Sequence, residues 1–109
     1  METLINVAHF RARQGKGQAL GSALLALVDA SRSEAGNLQY DICQSHDDPD
    51  TWLVFEQWRS RQAFDFHMAT PYVTQFLAAV PDLCAGELDV RSYAPRSPAD
   101  RRHGQLQPA

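Results

Sequence analysis

Glu56, Trp58 and His67 are the side chains whose types and spacing best suit chemistry in this chain. Glu56 and Trp58 are two apart at the end of an apolar run, so an extended segment points both to one side. His67 then falls at the end of a following short helix. A carboxylate can hold a proton, an indole offers a flat surface and one N–H donor, and an imidazole exchanges protons near pH ~6.5. Together they suit a planar phenolic substrate: the imidazole takes the phenolic proton and the electron-rich phenolate reacts with dioxygen directly. The substrate supplies the electrons, so this reading needs no metal, flavin or other cofactor.

Each residue also has a structural role open to it. Trp58 can be a large core residue closing the end of a sheet. His67 can cap a helix C-terminus. Glu56, inside an apolar strand, needs a partner, and Arg91 is the cation expected to pair with it. Asn6 on the first strand can bond a ligand or answer backbone groups. His9, His46 and His103 lack the spacing of a metal site, and Gly15-Lys16-Gly17 lacks that of a phosphate loop.

The elements that position these residues follow from periodicity. Residues 4–13 alternate as a strand, with Ile5, Val7 and His9 on one face and Asn6, Ala8 and Phe10 on the other. In residues 18–34, Leu20, Ala23, Leu24, Leu27, Val28 and Ser31 form the apolar stripe of one helix, with Gly36 expected as its C′ residue. Residues 38–45 alternate again, placing Leu38, Tyr40, Ile42 and Gln44 together, and His46-Asp47-Asp48-Pro49-Asp50 is a turn. Residues 51–58 are apolar on both faces, with Trp52, Val54, Glu56 and Trp58 against Leu53, Phe55 and Gln57. Ser60 caps a short helix through Met68 that puts Ala63, Phe64 and His67 on one side. Thr70-Pro71 starts a second helix, expected to stop at Pro81, and residues 87–93 close the domain as a strand.

This order predicts an α+β ferredoxin-like sandwich, an antiparallel four-stranded sheet with helices on one face. The domain is expected to span residues 1–94, with a proline-rich tail over 95–109. A chain of 109 residues builds one small core, and Ile5, Val7, Leu53 and Phe55 would be left on the bare sheet face. A second copy burying roughly 800 Å² per partner would remove that face from water, so an isologous homodimer is expected.

Composition excludes several classes. With 44% apolar and 21% charged residues, and no apolar run of membrane-spanning length, the chain reads as globular, without a membrane partner. A net charge of −3 and a single lysine, Lys16, argue against a nucleic-acid surface, which needs clustered cations. The start of the chain shows no basic region followed by an apolar stretch, so a cytoplasmic location is expected. Cys43 and Cys84 are expected to be unpaired, small buried hydrophobes.

Five segments carry a resemblance: Glu34-Ala35-Gly36-Asn37-Leu38-Gln39-Tyr40-Asp41, Asp47-Asp48-Pro49, Phe55-Glu56-Gln57-Trp58-Arg59-Ser60, Phe66-His67-Met68-Ala69-Thr70-Pro71 and Gly86-Glu87-Leu88. In order and spacing, over residues 3–94, the chain resembles the antibiotic biosynthesis monooxygenase family, especially its quinol monooxygenase-like and autoinducer-processing members. The resemblance implies a dimeric α+β barrel with a pocket between sheet and helices in each subunit. Of the site residues it carries over His67 and Trp58, which are expected to be catalytic, while Asn6, Glu56, Phe64, Tyr72, Phe76 and Arg91 are the expected substrate-binding residues.

The chain departs from the family at several positions. Val54 stands where the antibiotic-type enzymes carry asparagine, and Leu77 lies near the position of their arginine. Residues 72–79 have no histidine to ligate haem, and Tyr72 replaces the second histidine of many quinol-type members. What the resemblance implies first is a cofactor-independent monooxygenase of a quinol or polycyclic phenol. An isomerase of a small phosphorylated signalling metabolite and a non-catalytic binding module are the alternatives.

Overall fold

The computed structural model describes residues 2–98, in which eight elements follow one another. They are β1 (Leu4–Arg11), α1 (Gly17–Leu25), α2 (Val28–Arg32), β2 (Asn37–Gln44), β3 (Thr51–Trp58), α3 (Arg61–Met68), α4 (Pro71–Leu83) and β4 (Asp89–Tyr93). The four strands form one sheet in the order β2-β3-β1-β4, every neighbouring pair antiparallel. Central β1 and β3 thus have partners on both sides, and the fold is the expected α+β ferredoxin-like sandwich.

Alternation sorts the two sheet faces as expected. Asn6, Ala8 and Phe10 of β1 and Val54, Glu56 and Trp58 of β3 are buried beneath the helices. Ile5, Val7, Leu53 and Phe55 occupy the other face and are only half-buried. The core joins Ala8, Phe10, Val54, Trp58 and Tyr40 to Leu20 and Leu24 of α1, Leu27 at the start of α2 and Phe76 of α4. Phe10 and Phe76 meet edge to face at 5.6 Å, a favoured arrangement for two aromatic rings.

Four local expectations are corrected. The single helix over residues 18–34 is two segments, because the Leu27 amide bonds the Leu24 carbonyl and tightens one turn. Leu20, Leu24, Leu27 and Ser31 all still face the core. Gly36 is not a left-handed cap; positive φ among the described residues belongs to Gly15 and Gly86. What Gly36 provides is close approach, since a Cβ there would collide with the Ala63 methyl of α3. The α2–β2 connection therefore lies directly against the helix that carries His67.

Pro81 does not stop α4, which runs to Leu83. Proline's fixed φ is itself helical, so the chain continues through Pro81 and forgoes the single bond that an N–H there would give the Leu77 carbonyl. Leu38, expected beside Tyr40, is 55% exposed. The pairing steps from Asn37↔Trp58 to Gln39↔Gln57, so one extra residue bulges from β2 and Leu38 turns out.

The helix starts follow their caps. The Ser60 hydroxyl accepts the Ala63 amide at 3.1 Å, and Thr70 accepts that of Val73 ahead of Pro71. Cys84 is buried as expected, whereas Cys43 is exposed on the open sheet face opposite Leu53; both are free. No helix among the described residues is long and apolar enough to cross a membrane. Most of the expected tail, His103 included, lies outside the described residues; within them Arg96 pairs with Glu2 at 3.0 Å.

Candidate functional site

Period-two alternation on β3 places Glu56 and Trp58 on the covered face, and β1 brings Asn6 directly opposite Glu56. The Glu56 carboxylate, 5% exposed, accepts the Trp58 indole N–H at 2.8 Å on Oε1 and the Asn6 amide at 3.2 Å on Oε2. Asn6 in turn accepts the Ser92 hydroxyl at 3.1 Å. From α3, His67 descends onto this group with Nε2 3.7 Å from Glu56 Oε1. Its other nitrogen, Nδ1, lies 2.8 Å from Glu34 Oε2. The Tyr72 hydroxyl donates to the same Glu34 oxygen. The polar side chains thus line up from Tyr72 through Glu34 to His67 and, across a 3.7 Å gap, from Glu56 to Asn6.

Rings fix the plane of the imidazole, which is 2% exposed. Trp58 lies 4.5 Å away and tilted 37°, Tyr40 stands edge-on at 5.7 Å, and Phe64 and Tyr72 lie at 6.5 and 6.4 Å. Trp58 is fully buried, so its face is taken by His67 and not offered to a ligand. The expected stacking platform is instead the wall behind the imidazole.

A cavity of about 60 Å³ opens between the sheet and the helices. His67, Glu56, Asn6, Phe64 and Phe76 line it, as the sequence suggests, together with Tyr40, which it does not single out. The remaining walls are apolar, Leu24, Leu27, Val54, Leu77, Leu88 and Val90 among them. Among the described residues, no lysine or arginine contributes to the lining.

Tyr72 stands behind His67 through its bond to Glu34 and does not line the cavity. Arg91 does not meet Glu56. Its register partner on β1 is Val7, which puts it on the open face, where it bonds Asp89 at 3.1 Å. The expected Glu56–Arg91 ion pair is therefore replaced by neutral donors and an imidazole.

Glu34 is the site residue the sequence reading misses. Its signal is present: Leu20, Leu24, Leu27 and Ser31 step along the core, and the next step lands on a carboxylate.

Burial raises the Glu56 carboxyl above its ordinary range, an effect partly offset by the Trp58 indole, the imidazole and Asn6. Burial also raises the Tyr40 phenol, and the nearby Glu56 charge adds to it. The Tyr72 hydroxyl is pushed up to about 12, first by burial and then by its bond to Glu34, so it serves as a donor and not as a base. Among the described residues, no group of three or more His, Cys, Asp or Glu is arranged to hold a metal ion.

A raised carboxyl destabilises the fold at neutral pH. Between its unfolded value near 4.5 and its higher folded value, Glu56 binds more protons folded than unfolded, so its contribution to stability falls as pH rises. Glu56→Gln should match the wild type in urea denaturation near pH 4 and gain relative to it toward pH 8. A difference independent of pH would show that Glu56 does not titrate in this way.

The description of the antibiotic biosynthesis monooxygenase family fits residues 3–79 of the chain. Over 66 residues the chain is 36% identical to the uncharacterized protein sll1783 of Synechocystis sp., a stretch that spans 61% of this chain and 45% of that one. It is 31% identical over 83 residues to YcnE of Bacillus subtilis, which is named "Putative monooxygenase", covering 76% of this chain and 87% of YcnE. Rv0793 of Mycobacterium tuberculosis, named likewise, is 33% identical over 89 residues, 82% of this chain and 87% of that one. The solved structure of Rv0793 superposes with a TM-score of 0.84 and 31% identity, covering 90% of this chain and 99% of that one.

Proposed function

We propose, from the premise that the chain belongs to the antibiotic biosynthesis monooxygenase family, that it oxidises a quinol or polycyclic phenol with dioxygen and without a cofactor. The observation that carries this reading is the imidazole of His67, which lines a cavity with otherwise largely apolar walls, with Nδ1 bonded to Glu34 and Nε2 on the side of Glu56. A flat aromatic substrate fits between Phe64, Phe76 and the leucines, with its hydroxyl toward His67 and Glu56. His67 takes the phenolic proton, and the phenolate passes electrons to dioxygen held in the same apolar space. A quinol and dioxygen then give a hydroxyquinone and water. One oxygen atom forms the new carbon–oxygen bond, the other leaves as water, and the substrate provides all four electrons.

Trp58 acts in this scheme by holding Glu56 and backing the imidazole, not by touching substrate. The lining disfavours the isomerase of a phosphorylated metabolite, because a phosphate would lie beside Glu56 with no lysine or arginine among the described lining residues to meet it. The reading also includes a homodimer closed through the open sheet face, where Ile5, Val7, Leu53 and Phe55 lie half-buried, and a cytoplasmic location.

Oxygen uptake with a panel of hydroquinones and hydroxynaphthalenes tests the reaction. The wild type should exceed autoxidation and form, per dioxygen consumed, one hydroxyquinone from a hydroquinone or one quinone from a monohydroxynaphthalene. Rates equal to autoxidation across the panel, with an aromatic ligand retained unaltered, would make the protein a binding module. Light scattering that gives a monomer at micromolar concentration would remove the dimer.

A further inference from the structure

We propose that Glu34 is the positioning residue of this site: it fixes His67 in the tautomer that carries its proton on Nδ1, so that a bare Nε2 faces the cavity, and Tyr72 holds Glu34 in place. The inference rests on the proposed function only where it uses turnover as a readout.

Three observations carry it. First, the surrounding rings fix the imidazole's plane but not which edge points where. Trp58, Tyr40, Phe64 and Tyr72 pack against its faces and edges, and a half-turn of the ring would preserve most of that packing. Among the groups around it, Glu34 is the one whose hydrogen bond distinguishes the two edges, at 2.8 Å from Nδ1. A carboxylate accepts and does not donate, so the nitrogen it meets carries the proton. Second, Glu56 on the opposite side lies at 3.7 Å from Nε2, beyond a hydrogen bond, with its oxygens already taken by the Trp58 and Asn6 donors. That nitrogen is left for a ligand.

Third, Glu34 is poorly explained by folding alone. Its side chain is 7% exposed, and Oε1 is buried with no hydrogen-bond partner. Oε2 receives both the imidazole and the Tyr72 hydroxyl. A buried carboxylate with one oxygen unanswered destabilises a core. The chain nevertheless brings it there from the end of the first helical stripe, against the α3 backbone that Gly36 lets approach. The groups facing the imidazole are Glu34 after α2, Tyr40 on β2, Glu56 and Trp58 on β3, Phe64 on α3 and Tyr72 on α4.

Ring-nitrogen NMR of the full chain, with His67 assigned by loss of its signals in His67→Gln, reads the tautomer without reference to activity. As pH is raised, Nε2 of wild-type His67 should lose its proton while Nδ1 keeps it. In Glu34→Leu, which keeps the bulk but not the acceptor, both nitrogens should share the proton. The kcat should then fall on the order of 100-fold, with KM within about threefold, as expected when a catalytic imidazole loses its orienting partner. Glu34→Gln, whose amide oxygen still accepts the Nδ1 proton, should recover most of the kcat, and Tyr72→Phe should lose only a fraction of it.

A wild-type His67 that gives up its Nδ1 proton first would overturn the proposal, as would a folded Glu34→Leu with unchanged ring signals. Should Glu34→Leu fail to fold, the wild-type titration decides alone. A wild type with the proton on Nδ1 but no oxygen uptake would leave Glu34 in this role and remove the oxygenase reading.

Discussion

Replacement of His67 by alanine is expected to lower kcat for oxygen-dependent quinol turnover by about 100-fold or more, the usual contribution of a positioned base. The imidazole is the lining group with a nitrogen left for a ligand, since Nδ1 meets Glu34 at 2.8 Å and Nε2 lies 3.7 Å from Glu56, beyond a hydrogen bond. Tyr40, also in the lining, is pushed upward by burial and the Glu56 charge. Glu56 is held by two donors directed at its charged form. Neither neighbour replaces the base, so the loss should persist across the pH range. The variant leaves Glu34 and Glu56 buried without the group between them, so its folded fraction must be measured by circular dichroism and the rate expressed per folded molecule. A His67→Ala protein that turns over quinol at the wild-type rate after subtraction of autoxidation would remove the base assignment.

Trp58 should give the largest effect on stability. It is the bulkiest fully buried side chain, and truncation to alanine is expected to cost about 3–5 kcal/mol in urea denaturation. Trp58→Phe separates the indole's two roles, because it keeps most of the ring packing against His67 and removes the N–H that reaches Glu56 at 2.8 Å. Leaving that buried carboxylate one donor short should cost about 1–3 kcal/mol. Because the phenylalanine leaves the cavity lining untouched, any loss of turnover must come through Glu56 and the imidazole. If Trp58→Phe matches the wild type in stability and turnover, the indole is packing alone and the positioning role falls.

The parts of this fold legible from the sequence are those governed by short repeats. Alternation on β1 and β3 separates Asn6, Ala8, Phe10, Glu56 and Trp58 from Ile5, Val7, Leu53 and Phe55, and the structure keeps that division. Ser60 and Thr70 mark the two helix starts because a cap is a contact within one turn. The failures have equally local causes. The bulge that turns Leu38 outward adds one residue to β2 without a signal in its composition, and Pro81 continues a helix because its ring is compatible with the last turn.

By itself, then, the sequence determined the strand and helix order, the faces, and a carboxylate, an indole and an imidazole at one junction. Only the tertiary structure decided how those three meet. Arg91 misses Glu56 because cross-strand pairing sets it opposite Val7, and pairing parity is a property of two strands together. Trp58 lies behind His67 because the crossing of α3 over β3 sets which ring face is covered. Glu34, 33 positions from His67 in the chain, becomes its partner because the α2–β2 connection packs against α3 at Gly36. Local periodicity fixes which way a side chain points; the choice of partner across the core depends on packing between elements, which no short window of sequence contains.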